Sequence, residues 1–79
     1  MHFKKGNYYI YKKSNIIYVF KYINFVVNDE HNIKLHHVLV LKYDNNPFYN
    51  GKIDIFNDNS LLSKHCKEIS EKEALIWAL

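Results

Sequence analysis

Arginine, glutamine and threonine are absent from these 79 residues, and there is one cysteine, one proline and two glycines. With Cys66 alone, no disulfide can form within the chain, which fits a reducing compartment better than an oxidising one. With only Gly6 and Gly51, no glycine-rich phosphate loop can be built. With every basic residue a lysine, planar two-point recognition of phosphates or guanine edges by a guanidinium is excluded. No apolar stretch approaches the roughly 20 residues that span a bilayer, and the first residues carry lysines without an apolar leader run. The expectation is a cytoplasmic protein that does not engage membranes.

What the chain has in plenty is aromatic and β-branched residues. Ile16 to Val27 reads IIYVFKYINFVV, with only Lys21 and Asn24 polar. Such density without Gly or Pro favours a strand, and because alternate residues on both sides are apolar, both faces need cover. At about 3.3 Å per residue the run would measure roughly 40 Å, longer than the roughly 30 Å expected of a compact chain this size. The expectation is a central strand that bends, bulges or breaks, with a bulge best tolerated at Lys21 or Asn24.

Tyr8 to Tyr11 reads as a first strand joined to the central one by the short polar link Lys13-Ser14-Asn15. Ile33 to Tyr43 alternates, and the odd residues Leu35, His37, Leu39 and Leu41 are expected inside with Lys34 and Lys42 in solvent. Asp44-Asn45-Asn46-Pro47 ends it, and the Asn50-Gly51 turn leads into a strand over Lys52 to Asn57. Ser70-Glu71-Lys72-Glu73 matches a capping box and predicts a helix over Glu71 to Ala78. The stretch from Leu61 to Ile69 is compatible with one helix, or with a helical turn followed by an extended Cys66 to Ile69. The second is preferred, since a cap at Ser70 implies a new start.

These elements define one domain over residues 1–79, β-rich through 57 and helical from 60 to 79. The fold class is mainly β with a C-terminal helix (α+β): an antiparallel, open-barrel-like sheet of four to five strands capped by that helix. The helix is apolar around most of its surface, so Trp77 is expected to be buried in a sandwich. A face left over, with part of the Tyr18, Phe20 and Tyr22 row, would serve self-association.

For chemistry the sequence offers little. His36 and His37 are neighbours on a strand and point to opposite faces, and His65-Cys66 lacks a partner at ligand spacing, so no metal site is expected. A Cys66 nucleophile with His65 or His37 and Asp54 has no flanking motif, and no catalytic residue or cofactor is assigned. A small-ligand pocket around His37 is a further alternative.

The net charge of +3 is unevenly placed: residues 1 to 43 hold seven lysines against Asp29 and Glu30, a net +5, and the remainder is net −2. Tyr9, Tyr11, Lys12, Lys13, Tyr18, Phe20, Tyr22 and Trp77 are the candidate partner-binding residues, tyrosine combining large contact area with a polar tip. The first expectation is a non-catalytic protein-interaction module. The specific form expected of it is a phage- or mobile-element-encoded modulator or inhibitor of a host protein. The alternative is a small barrel binding single-stranded DNA or RNA by stacked rings and lysines.

Overall fold

The computed structural model describes residues 2–79. Five antiparallel strands form one open sheet: β1 (Tyr8–Lys13), β2 (Ile16–Asn28), β3 (Ile33–Tyr43), β4 (Ile53–Asn57) and β5 (Lys67–Ile69). Their order across the sheet is β4-β3-β2-β1-β5. The first four make a meander, and a single excursion then carries the chain from one edge to the other. On that excursion lies a short helix, α1 (Leu61–His65), and after β5 comes α2 (Glu71–Ala78). The mainly β open sheet with a C-terminal helix matches the expectation, as do the separate pieces at 61–69.

Local chemistry sets the boundaries. Ser14, at φ 54, turns the β1–β2 hairpin, and Gly51, at φ 82, takes the left-handed position ahead of β4. Between β3 and β4, Asn46 caps a single 3-10 turn at Pro47–Tyr49, where proline's missing N–H costs nothing. The Ser70 hydroxyl accepts a hydrogen bond from the Glu73 amide at 3.1 Å, half of the capping box.

Both faces of β2 are covered at its β1 end. The first face carries Tyr9, Tyr11, Tyr18, Phe20, Tyr22, Val38, Val40 and Phe56, closed over by Phe3, Leu62 and Cys66. The second carries Ile10, Val19 and Ile69, with Ala74 and Trp77 of α2 laid on them. The Tyr18, Phe20 and Tyr22 row is thus roofed by its own chain, and the expectation that part of it remains for a second molecule is overturned. The helix is not sandwiched either. Ala74 is fully buried and Trp77 only half-buried, while Leu75, Ile76 and Leu79 stand exposed.

Three further expectations are corrected. The buried residues of β3 are His36, Val38 and Val40, with Leu35, His37, Leu39 and Leu41 only half-buried and Lys34 and Lys42 half-buried beside them. The long strand is accommodated by elongation, since the molecule measures 39 × 22 × 21 Å. Its pairing with β3 shifts register twice, between Tyr22 and Asn24 as anticipated, and between Val19 and Phe20 instead of at Lys21. At the second shift the extra residue is Leu41, on β3.

Candidate binding site

The partner-binding residues expected from the sequence divide sharply. Tyr9, Tyr11, Tyr18, Phe20 and Tyr22 are at most 5% exposed, so their rings are core and offer no stacking platform. Lys12 and Lys13 are exposed at the end of β1. Trp77 sits beneath Lys12, whose ammonium is 5.7 Å from the indole centroid. The structure therefore brings Lys12 and Trp77 together and removes the five rings from the surface.

Two polar constellations appear that sequence spacing does not show. In the first, buried His36 holds the Tyr22 hydroxyl at Nδ1 (2.7 Å) and the Asp58 carboxylate at Nε2 (2.8 Å). The Ser63 hydroxyl also donates to Asp58, at 3.3 Å. A carboxylate can only accept, so Nε2 carries a proton and donates to Asp58, while Nδ1 shares a hydrogen bond with the Tyr22 hydroxyl. The bond from His36 holds the Asp58 carboxyl below its ordinary value, and burial pushes the Tyr22 phenol up to about 12.

In the second, the Tyr18 hydroxyl donates to Asp54 Oδ2 at 2.6 Å, and the Ile55 amide donates to Asp54 Oδ1 at 2.8 Å. Burial, then this bond, raises the Tyr18 phenol well above the usual tyrosine range. Both residues line a cavity of about 320 Å³ with Tyr11, Ile16, Tyr43 and Leu62. Its walls come from β1, β2, β3, β4 and α1, and His37 is not among them.

The cysteine constellation is not assembled. Cys66 packs in the first-face cluster with its thiol donating to the Leu62 carbonyl, Asp54 is engaged by Tyr18, and His37 belongs to the other face of β3. Among the described residues, no three of His, Cys, Asp and Glu converge as a metal-ligand group. Burial pushes the Cys66 thiol up to about 12. Its reaction with a disulfide reagent at pH 8 is expected to be slower by on the order of a hundredfold or more in the folded protein than in urea, because so little thiolate is present. Equal rates would place the thiol in solvent.

The remaining feature is an edge. Val40 N–H donates to the Lys52 carbonyl and Asp58 N–H to the Lys34 carbonyl, so the even residues of β4 face β3. The odd ones, Ile53, Ile55 and Asn57, turn their amides and carbonyls away from β3; the Ile55 amide is met there by the Asp54 side chain, and the Asn57 carbonyl accepts from the Ser60 amide at 3.1 Å. Ile53 and Ile55 are 56% and 53% exposed, and across the same face lie half-buried Leu39 and Leu35 and Val26, 49% exposed. Asn50-Gly51 located the turn before this strand, but nothing in the sequence marked β4 as an edge. Among the described residues, no helix is long and apolar enough to cross a membrane. The chain matches no protein-family model, no curated protein and no solved structure in the comparisons made.

Proposed function

We infer that the protein is a non-catalytic interaction module whose partner surface is the β4 edge with the apolar face beside it. The observation that carries this is the pairing of outward backbone groups at Ile53 and Ile55 with exposed isoleucine side chains on one strand. Edges of soluble sheets are ordinarily guarded by lysine, proline or a covering element; here Lys52 precedes the strand and Ser60 takes the Asn57 carbonyl, but along Ile53 to Ile55 only the Asp54 side chain intervenes. By contrast, β5 at the other edge is three residues long and carries Lys67 and Glu68. A partner adding an extended strand to β4 would gain main-chain hydrogen bonds and cover the apolar side chains together. Within this reading, the composition favours a phage- or mobile-element-encoded modulator of a host protein.

The test uses Ile55→Pro, which removes an amide that the sheet itself does not use and so blocks strand addition while leaving the β3–β4 ladder intact. Wild type should capture a protein partner from lysate that the folded variant does not. Retention of the same partner by Ile55→Pro, or of none by folded wild type, would refute the edge as the binding surface. If the captured species is a second copy, sedimentation will show a dimer that the variant lacks.

A further inference from the structure

The cavity between the first face of the sheet and α1 carries a second inference, joined to the β4 edge through Asp54, whose Oδ1 accepts from the Ile55 amide and whose Oδ2 accepts from Tyr18. Three tyrosines, Tyr11, Tyr18 and Tyr43, and one carboxylate, Asp54, share its lining. Tyr18 and Tyr43 meet edge to face, with centroids 5.1 Å apart and planes at 68°, so the two rings stand at an angle to each other rather than stacking flat. The Asp54 carboxylate receives two hydrogen bonds from its own chain but no cation. Among the described residues, the carboxylates within 4 Å of a lysine or histidine nitrogen are Asp58, beside His36, and Asp44, beside Lys42. A half-buried carboxylate beside aromatic walls lacks the one partner that would complete it, a positive charge.

The three ligand classes that fit such a volume are told apart by this lining. An anion would meet Asp54 at close range, and a neutral apolar molecule would bury the carboxylate without compensating it. A cation gains from the carboxylate and from the half-buried Tyr43 ring at once, and an alkylated ammonium adds methyl groups that suit apolar contact with Ile16 and Leu62. At about 320 Å³ the cavity is at the small end of ligand sites. We propose that it binds a small free organic cation of the alkylated-ammonium class, the charge placed between Asp54 and Tyr43.

The probe is choline, compared with its neutral isostere 3,3-dimethylbutan-1-ol, each titrated into the full chain and followed by NMR shifts of the tyrosine rings. Choline is expected to bind at least about tenfold more tightly than the isostere, with shifts at Tyr11, Tyr18 and Tyr43. Asp54→Asn should remove that preference and Tyr43→Leu should weaken choline binding. Should Asp54→Asn fail to fold, the wild-type comparison and Tyr43→Leu decide alone. Equal binding of the two compounds, binding of neither at about 10 mM, or choline shifts confined to other residues would overturn the proposal.

Discussion

Phe20→Ala is expected to remove most of the stability of this protein. The side chain is fully buried on the central strand and touches ring after ring: Tyr9 stacks at 5.6 Å, and Phe3, Tyr18 and Phe56 meet it edge-on at 5.8, 5.6 and 5.6 Å. Truncating a core phenylalanine costs about 3–5 kcal/mol, the lost transfer energy plus the cavity left behind. A domain of this length has roughly 4–12 kcal/mol in total. Urea denaturation followed by circular dichroism should show a midpoint near zero, or no native baseline, whereas Leu79→Ala at the exposed C-terminus should leave the midpoint unchanged. A loss under about 1 kcal/mol for Phe20→Ala would mean that the first-face cluster does not act as one core.

The second large effect separates two adjacent histidines. His36→Leu should destabilise by about 1–3 kcal/mol, because it leaves the buried Tyr22 hydroxyl without its partner and strips Asp58 of its principal donor. His37→Leu, half-buried on the other face, should change stability by no more than about 0.5 kcal/mol. The same network gives an acid signature. The Asp58 carboxyl lies lower in the folded state than its ordinary value of 3.8, so its contribution is present above that pH and is lost as the pH falls through the folded value. Because the Asp58 side chain is 52% exposed, the acid limb is modest. Asp58→Asn should flatten it. Matched urea series from pH 6 to pH 3 check both statements, and equal losses for the two histidine variants would contradict the network.

Much of the fold can be read from the residues themselves. The β-branched and aromatic run at Ile16 to Val27, the turns at Ser14-Asn15 and Asn50-Gly51, the stop at Pro47 and the cap at Ser70 are local signals, and each element lies within a residue or two of where its chemistry puts it. The need to cover β2 on both faces was equally legible, but α1 and α2 meet it only near the β1 end, and Ile23, Phe25, Val26 and Val27 at the far end stand exposed. Amino-acid type alone determined these features, because they depend on backbone preferences and on the side-chain period of a strand.

Which face becomes the deeper core was decided only by the assembled sheet. On β3 both faces are apolar, Leu35, Leu39 and Leu41 against Val38 and Val40, so alternation could not choose between them. The choice falls to the face that shares the Tyr9, Phe20 and Tyr22 rings, pinned by the two register shifts and roofed by the chain crossing from β4 to β5. That crossing also brings Asp58 to His36 and closes the tyrosine-lined cavity over Asp54, pairs 22 and 36 residues apart in their hydrogen bonds. Such contacts follow from strand order and register, in which a shift of one residue inverts every side chain, and no local preference encodes them.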